Sequence, residues 1–402
     1  MQTELPREYL ATDTGSRADG ILRSCVHCGF CNATCPTYQL LGDELDGPRG
    51  RIYLIKEMLE SQRANDVAAR HLDRCLTCRA CETTCPSGVQ YGELLEIGRD
   101  FLERERPRRG SERWLRGWLL RVVPDRRRFR RWARLGRAFR WLLPRRLAAQ
   151  VPPAPAEPAA VPVPAAAATR RVLLLQGCVQ QAATPEVNAR LAELLAGRGI
   201  ETVTVAEEGC CGALALHLGE TDRARTTMAG TLDALAERLD EVEAVISTAS
   251  GCGVTVKDYG RLLADDPRRA ATARRLAELT VDAAEYLGGQ AIDWQRRGDY
   301  RRVAWHSPCT LQHGQQVTGV VETLLGEAGY ELVKVSEAHL CCGSAGSYSI
   351  LQPELSGQLK RRKLTALEQH DPDVIATANV GCQLHLAGAA GKPVVHWLEL
   401  LK

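Results

Sequence analysis

At 402 residues the chain is long enough for two or three domains, each with its own hydrophobic core. Hydrophobic residues make up 45% of it and charged residues 25%, a composition that excludes a disordered or fibrous protein. No apolar run approaches the ~18 residues that a membrane-spanning helix requires. The first residues lack the basic and apolar regions of a signal peptide. We therefore expect a cytoplasmic protein in which thiols stay reduced.

The sixteen cysteines are the most informative feature of this composition. In a reducing compartment they are hard to explain as disulfides and easier to explain as metal ligands. Eight of them lie in residues 1–107, in two groups that flank a helical stretch. That stretch opens at Pro48 and places Ile52, Ile55 and Leu59 on one face. We predict a mainly helical first domain over residues 1–107.

Both N-terminal cysteine groups have the spacing C-x2-C-x2-C-x3-C-P, which is the signature of bacterial two-cluster ferredoxins. Three cysteines hold one [4Fe-4S] cluster, and the proline turn carries the fourth to the other cluster. The predicted ligand sets are therefore crossed: Cys25, Cys28, Cys31 and Cys85 for one cluster, and Cys75, Cys78, Cys81 and Cys35 for the other. The alternative is two Zn sites, each with its own four cysteines. Interlocked clusters lie close together, as electron relay requires.

A basic segment is predicted over residues 108–150. Between 108 and 146 there are fifteen Arg and two acidic residues, a local charge of +13; since the whole chain carries +3, the remainder carries about −10. Large apolar side chains lie among the arginines: Trp114, Trp118, Trp132, Leu135, Phe139 and Trp141. A basic amphipathic helix with Trp is typical of contact with an anionic membrane. Docking on an acidic partner subunit and a solvated charged face are the alternatives.

A Pro- and Ala-rich linker is predicted over residues 151–170. From Arg171 onward, short β-branched runs alternate with helical ones, a pattern that predicts β-α-β units on parallel sheets. Four cysteines recur at offsets of 130 or 131 positions: Cys178, Cys210, Cys211 and Cys252 in one copy, and Cys309, Cys341, Cys342 and Cys382 in the other. We therefore predict two copies of one α/β unit, over 171–295 and 296–402.

The fold class that follows is an α+β multidomain protein: a helical two-cluster ferredoxin domain followed by two repeated α/β, parallel-sheet, cysteine-rich domains. In each copy a strand leads into a cysteine, so the cysteines should meet at the carboxyl edge of the sheet, where α/β folds bind ligands. Two adjacent thiolates cannot both serve a tetrahedral Zn without strain, but they can hold different irons of a cluster. Gly212 and Gly343 follow these pairs and allow close approach of the backbone.

These motifs resemble the cysteine-rich CCG domains of heterodisulfide reductase, lactate-utilisation and glycolate-oxidase electron-transfer proteins. The order of two ferredoxin motifs and two such domains covers nearly the whole chain. Residues 23–31, 42–54 and 339–346 are similar to glycolate oxidase iron-sulfur subunits in particular. The chain departs from the fullest CCG motif, which ends in C-x2-C, because Ala249 and Asn379 stand where the first of those cysteines would be.

Each repeat therefore offers four thiolates, enough for one further iron-sulfur cluster, and the alternative is that one or both copies hold no metal. Around its cysteines the second copy also has four histidines at positions where the first has other residues: His306, His313, His339 and His385 against Leu175, Ala182, Glu208 and Thr255. We hypothesise that the second copy carries proton-coupled chemistry, with His306 and His339 as candidate catalytic residues. The alternative is that these histidines pack at the rim of a metal site.

No G-x-G-x-x-G fingerprint follows a predicted strand, so the chain offers no FAD or NAD site of its own. The resemblance implies the iron-sulfur electron-transfer subunit of a glycolate oxidase, also called glycolate dehydrogenase. Partner subunits with FAD would oxidise glycolate to glyoxylate, and electrons would pass to a quinone or another membrane acceptor at the inner face of the cell membrane. Alternatives are a related lactate or glycerol-3-phosphate dehydrogenase, a heterodisulfide reductase-like complex, or a redox-sensing iron-sulfur module. Nucleic acid is not expected as a partner, because no recognised fold accompanies the basic charge.

Overall fold

A computed structural model describes residues 1–143, 148, 151–155, 170–290 and 292–402. The chain forms two compact units, and each combines segments that are distant in sequence. Unit 1 consists of Met1–Gly117, Leu214–Thr221 and His339–Lys363, and unit 2 consists of Trp118–Ala213, Asp222–Ala338 and Leu364–Lys402. The domain boundaries proposed above follow chain order and stay predictions. Most of the predicted linker, residues 156–169, lies outside the described residues.

Unit 1 is helical in its N-terminal part. Its helices there are Arg7–Leu10, Asp13–Ser24, Pro36–Leu41, Pro48–Ser61, Asp66–Asp73, Ala80–Thr84 and Tyr91–Glu105, with short 3-10 turns at Phe30–Thr34 and Glu44–Asp46. The predicted helix begins at Pro48, as expected for a proline in the first turn. Ile52, Ile55 and Leu59 are buried in the core of this unit, which confirms the predicted apolar face.

The two C-x2-C-x2-C loops share an unusual backbone conformation. His27 and Gly29 in the first loop, and Thr77 and Arg79 in the second, have positive φ angles between 55° and 85°. These residues are the second and fourth after the first cysteine of each loop. Left-handed residues at alternate positions curl the chain tightly, so that three cysteines of one loop can approach the same point. At Gly29 an added Cβ would lie 2.7 Å from Nη1 of Arg49.

Unit 2 contains two parallel four-stranded sheets, which confirms the predicted α/β repeats. The first sheet has the order β2-β1-β3-β4, with strands β1 Arg170–Leu174, β2 Ile200–Val203, β3 Ala244–Ser247 and β4 Thr280–Asp282. The second has the same arrangement, β6-β5-β7-β8, with β5 Arg302–His306, β6 Glu331–Val333, β7 Val374–Thr377 and β8 Val394–His396. Their central strands are buried, as expected when helices cover both faces of a sheet.

Helices connect these strands. Those of the first repeat are Gln180–Ala183, Pro185–Ala196, Ala213–His217, Thr221–Leu235, Ser250–Lys257, Tyr259–Leu262, Ala270–Leu279 and Ala283–Gly288, with a 3-10 turn at Ala236–Arg238. Those of the second are Val320–Glu327, Tyr348–Leu351, Pro353–Glu368 and Val380–Ala387, with short turns at Thr310–Gly314 and Trp397–Leu400. Within unit 2 the two repeats share one hydrophobic core, to which both Leu191 and Trp397 belong.

The predicted basic segment forms the helices Gly110–Val122 and Arg126–Ala138, followed by a 3-10 turn at Arg140–Leu142. Asp125 caps the second helix by accepting the backbone N–H of Arg128 at 2.9 Å. In unit 2, Trp118 and Trp132 pack edge to face, with ring centroids 5.5 Å apart. Large apolar side chains of this segment are exposed: Trp114, Trp132, Leu135, Phe139, Trp141 and Leu142.

Two of the fifteen arginines have a structural role in unit 1. Arg108 and Arg116 are buried, and both pair with Asp73, at 2.6 and 2.9 Å. Glu103 and Glu112 complete the network. The charge of these two guanidinium groups is therefore neutralised inside the unit. Across the described part of the chain, every helix is too short or too polar to span a lipid bilayer.

Candidate functional site

Four thiols from the two ferredoxin-type loops meet in unit 1. Cys25, Cys28, Cys31 and Cys85 line one cavity, which Cys81 also borders. Burial raises the pKa of Cys31 to about 11, and the thiols of Cys25, Cys85 and Cys28 contribute to the increase. Thiolates this close repel one another, so the set favours a cation at its centre. The fourth cysteine of the second loop thus joins the three of the first loop.

The other four thiols form a second set in the same unit. Burial raises the pKa of Cys81 well above its usual range, and Cys78, Cys75 and Cys35 add to this effect. Cys35, from the first loop, therefore lies with the three cysteines of the second loop. Cys35, Cys75 and Cys81 are buried, whereas Cys28 of the first set is exposed.

Buried cations distinguish the second set. Burial alone would raise the pKa of Cys75, but the guanidinium groups of Arg51 and Arg99 outweigh it and lower the pKa of this thiol. The hydroxyl of Tyr91 donates a hydrogen bond to the Cys75 sulfur at 3.5 Å. Nη1 of Arg51 lies 3.8 Å from the sulfur of Cys35. Charge and hydrogen bonds at the sulfur atoms are the means by which a protein sets the reduction potential of a cluster.

A buried network holds Arg51 in place. Its Nε donates to the carbonyl oxygen of His71 at 2.7 Å, and its Nη2 donates to Thr37 Oγ1 at 3.0 Å. Asp46, fully buried, accepts from Arg51 Nη2 at 3.4 Å and from Arg74 Nη1 at 2.8 Å. Because the carboxylate and the guanidinium are both multiply hydrogen-bonded, the arginine keeps its charge beside the thiols.

Within unit 2, the four cysteines of the first repeat also converge. The sulfur atoms of Cys178 and Cys210 lie 3.6 Å apart. The thiols of Cys178 and Cys211 donate to the sulfur of Cys210, which lowers the pKa of Cys210 well below its usual range and raises those of the two donors. Cys211 also contacts Cys252. Three separate segments, after β1, before the helix Ala213–His217 and after β3, thus supply one group of thiols.

The backbone around the adjacent cysteines is fixed by neighbouring helices. Thr231 Oγ1 donates to the carbonyl oxygen of Cys210 at 2.9 Å, and the hydroxyl of Tyr259 donates to that of Cys211 at 3.0 Å. Gly212 has φ of +84°, and a Cβ there would lie 2.7 Å from Met228 Cγ. Only glycine fits this turn without strain.

A partly buried carboxyl group borders the thiols of the first repeat. Glu208 accepts hydrogen bonds from the backbone N–H groups of Gln176 and Gly177, at 2.8 and 3.0 Å. Burial nevertheless raises its pKa to about 7. The group therefore ties the turn that precedes Cys178 to the loop that precedes Cys210.

The cysteines of the second repeat are divided between the units. In unit 1, Cys341 and Cys342 are buried, and Ser356 Oγ fixes the following glycine by donating to the carbonyl oxygen of Gly343 at 2.8 Å. In unit 2, Cys309 and Cys382 are buried, and the side-chain amide of Asn379 lies 3.6 Å from the sulfur of Cys382. Asn379, which stands where the fullest motif has a cysteine, therefore contacts a candidate ligand.

The four histidines named above as neighbours of the cysteines in the second repeat are divided in the same way. His339 belongs to unit 1, and the other three belong to unit 2: His306, His313 and His385. His306, at the end of β5, and His385, in the helix Val380–Ala387, are buried. Their assignment to proton-coupled chemistry stays a prediction.

Motif spacing reveals the cysteines but not the residues that surround them. Arg51 and Arg99 each lie 24 positions from Cys75, the cysteine of the second loop whose pKa they lower. Both are in helices whose sequences carry no recognisable motif. In the sequence, Glu208 is distinguished only as the position that matches His339 in the second copy. A buried charge near a thiol leaves no local pattern, because it depends on how the helices pack.

Two family models match the chain. A 4Fe-4S dicluster domain covers residues 21–89. A cysteine-rich domain with the CCG motif matches twice, over residues 172–257 and 303–387. The predicted iron-sulfur clusters and the internal repeat are thereby confirmed. Whether the CCG repeats themselves hold metal stays a prediction.

Two relatives match this chain over its full length. The chain is 47% identical to the glycolate oxidase iron-sulfur subunit of Escherichia coli (strain K12), over 100% of this chain and 98% of that protein. It is 31% identical to the probable glycolate oxidase iron-sulfur subunit of Bacillus subtilis (strain 168), with the same coverage. A shorter relative, the lactate utilization protein A of Geobacillus kaustophilus (strain HTA426), is 28% identical over 58% of this chain and 98% of that protein.

Among solved structures, a hypothetical protein from Helicobacter pylori has a similar fold. The TM-score is 0.52 at 10% identity, over 96% of this chain and 71% of that one. This likeness concerns the fold alone. With two full-length relatives above 30% identity, two sets of four thiols in unit 1 and a third in the first repeat, the chain belongs to the family of glycolate oxidase iron-sulfur subunits.

Proposed function

We propose that this chain is the electron-transfer subunit of a glycolate oxidase. It would receive electrons from a partner flavoprotein that oxidises glycolate to glyoxylate, and pass them toward a quinone or another membrane acceptor. The observation that carries the proposal is that a chain with two interlocked sets of four thiols is also similar, over its full length, to such subunits. Glycolate itself would bind to the partner and not to this chain.

Each N-terminal set would hold one [4Fe-4S] cluster, with Cys25, Cys28, Cys31 and Cys85 as one ligand set and Cys75, Cys78, Cys81 and Cys35 as the other. The chemistry of the residues fits this group, because four soft thiolates that repel one another gain most from bound iron. When bound, each cluster accepts and releases single electrons. The uncrossed Zn arrangement fits less well, because Cys85 lies with the first loop and Cys35 with the second.

The chain's own residues would set the order in which the two clusters receive electrons. Arg51, Arg99 and Tyr91 place positive charge and a hydrogen-bond donor beside the second set. These groups stabilise added negative charge, so the second site should have the higher reduction potential. Arg49 lines the cavity of the first set, and it pairs with Glu44 at 2.5 Å. Electrons would therefore move from the first set toward the second.

The first set also has the more accessible edge. Cys28 is exposed, and Val26 and Phe30 in the same loop are 67% and 63% exposed. The ring of His27 lies 6.4 Å from that of Tyr53, which is exposed as well. An exposed apolar surface is suited to binding a partner protein. Because this surface lies next to a thiol site, a redox partner bound there would be close enough to that site for electron transfer. We assign this edge to the FAD-containing partner subunit.

A third site would lie in the first repeat, with Cys178, Cys210, Cys211 and Cys252 as its ligands. The four sulfur atoms already form one connected group, and Gly212 allows the backbone to pass close to them. By the internal repeat, Cys309, Cys341, Cys342 and Cys382 stay candidate ligands of a further cluster. His306 and His339 stay candidates for proton-coupled chemistry, a role for which the first repeat has no matching histidines.

We also propose that the protein lies at the inner face of the cell membrane. The helix Arg126–Ala138 and the turn after it expose Trp132, Leu135, Phe139 and Trp141 among arginines. Such a surface binds in the headgroup region of an anionic bilayer. Contact with the bilayer would bring the chain close to a quinone acceptor.

Reduction by substrate tests the proposal. The full chain is purified anaerobically with its flavoprotein partner, and absorbance of the clusters is followed after glycolate is added. Bleaching by glycolate, with slower or absent bleaching by lactate or glycerol 3-phosphate, supports the proposal. Bleaching by one of the other substrates alone favours a related dehydrogenase. Bleaching by dithionite only, with no substrate effective, favours a redox-sensing module. Cleavage of a disulfide substrate would indicate a heterodisulfide reductase-like complex.

A further inference from the structure

A large cavity of unit 2 lies between the helix Arg126–Ala138 and the first repeat. Its volume is about 750 Å³. One wall consists of the arginine side chains of that helix: Arg126, Arg127, Arg130, Arg134 and Arg137. The thiol sites are not part of it, and the volume is in the range of sites for organic ligands.

The spacing of the arginines makes this wall a continuous stripe. Arg126, Arg130, Arg134 and Arg137 are four, four and three positions apart, which places them on one face of a helix. At 1.5 Å per residue the stripe is about 16 Å long. Trp132, Leu135 and Phe139 fall on a different face and are half exposed. The helix therefore presents positive charge to the cavity and apolar groups to the outside.

Most of this charge has no partner of opposite sign. The side chains of Arg127, Arg130 and Arg134 make no hydrogen bond or ion pair to any residue that the structure describes. Arg126 donates to Gln181 and to the carbonyl oxygen of Ala206. Arg137 donates to that of Pro153 at 3.1 Å, so the hydrogen bonds of these two guanidinium groups go to neutral acceptors. The charge of Arg126 also acts on Glu208, where it opposes the larger effect of burial on the pKa of that carboxyl group. Among the described residues, no carboxylate lines the cavity.

The opposite wall supplies neutral polar groups at the carboxyl ends of two strands. Leu174 is the last residue of β1, and Thr202 and Thr204 lie in and just after β2. The hydroxyl groups of these threonines can donate to an anion. The carboxyl edge of a parallel sheet is the usual place for a ligand in α/β folds.

We propose that this cavity binds a ligand that carries two or more phosphate groups. Guanidinium groups match the geometry of phosphate oxygens, and five of them within about 16 Å require a ligand of high charge density. Phosphate supplies more charge per group than carboxylate does, and its oxygen atoms can accept hydrogen bonds from guanidinium groups and from threonine hydroxyls. The ligand is either the headgroup of a diphosphate lipid or a soluble polyphosphate.

The test uses the full chain with its clusters intact and two kinds of probe. Binding of inorganic pyrophosphate and tripolyphosphate is measured by calorimetry, with citrate and polyglutamate as carboxylate probes. Binding of lipid is measured by co-sedimentation with phosphatidylcholine vesicles that contain or lack cardiolipin. The double variant Arg130→Gln/Arg134→Gln removes two charges from the cavity. The matched control, Arg128→Gln/Arg131→Gln, removes two charges from the same helix outside the cavity. Far-UV circular dichroism and thermal unfolding show that each variant is folded.

We expect phosphate probes or cardiolipin vesicles to bind about tenfold more weakly to the cavity variant, and the control variant to change by less than about twofold. Pyrophosphate binding identifies a soluble ligand, and binding of cardiolipin vesicles alone identifies a lipid. Equal losses in both variants would overturn the proposal, because they indicate general charge attraction. So would the absence of binding to every phosphate probe, or tighter binding of polyglutamate. These outcomes are independent of whether glycolate reduces the clusters.

Discussion

Single buried charges in unit 1 should control the reduction potentials. Arg51 lies beside Cys35 and lowers the pKa of Cys75, and it is held by Asp46, Thr37 and the carbonyl oxygen of His71. We predict that Arg51→Gln lowers the midpoint potential of one cluster by about 50 to 100 mV, since a charge near a buried site is worth about 1 to 2 kcal/mol. A redox titration followed by EPR measures this change.

Two further variants complete that experiment. Arg51→Lys keeps the charge and should restore part of the potential. Arg49→Gln removes a cation that is paired with Glu44 near the first loop, and it should leave the second cluster unchanged. A shift of both clusters by the same amount in Arg51→Gln would contradict a local effect.

Exchange of one cysteine tests the crossed ligand sets. Cys85 belongs to the second motif, but it lies with Cys25, Cys28 and Cys31. We predict that Cys85→Ser impairs the cluster of the first loop and leaves the cluster beside Arg51. In the double variant with Arg51→Gln, the surviving EPR signal should therefore still shift to lower potential. If the potential of the surviving cluster does not change with Arg51→Gln, Cys85 is a ligand of the cluster in its own loop.

At the scale of the elements, the turn before the helix Ala213–His217 should tolerate no side chain. We predict that Gly212→Ala lowers the free energy of unfolding by about 1 to 3 kcal/mol, because φ is +84° and the Cβ would meet Met228. Gly230, inside the helix Thr221–Leu235, has open space around it, so Gly230→Ala should be neutral or stabilising by up to about 1 kcal/mol. Thermal unfolding compares the two. Equal effects would show that the turn is not constrained.

The contact between the two repeats of unit 2 should depend on pH. His396, at the end of β8, contacts the carbonyl oxygen of Thr248, after β3, through its Nε2 at 2.9 Å, and its Nδ1 accepts the N–H of Leu398. The ring is therefore neutral. Burial lowers the pKa of His396 to about 4, against about 6.5 in the unfolded chain. The folded state thus binds fewer protons in this interval, and stability present above pH 6.5 is lost as the pH falls toward 4.

We predict a loss of about 3 kcal/mol between pH 7 and pH 4 from this group. His396→Gln keeps a donor for Thr248 and should remove that part of the pH dependence. Unfolding measured at several pH values checks the difference between the two proteins. Identical pH profiles would mean that another group, such as the buried His217, causes the acid sensitivity.

At the scale of the whole molecule, the cysteine pattern predicts much of the fold and the sites. Ligand spacing in the first 107 residues and the offset of 130 to 131 positions in the second half are enough for the two kinds of domain. The cysteine pattern does not predict which segments of the chain pack into the same unit. The segments Leu214–Thr221 and His339–Lys363 belong to unit 1 although they lie within the repeats, because packing and not chain order decides which residues share a core. The orientation of the arginine stripe also depends on such packing.

The content of iron and acid-labile sulfide per chain after anaerobic purification decides whether the thiols hold iron-sulfur clusters. We expect a brown protein with about eight of each if only the two sets of unit 1 are filled, and about twelve to sixteen if the CCG repeats also hold clusters. A colourless protein that contains zinc and no sulfide would contradict the assignment of the thiols to iron-sulfur clusters.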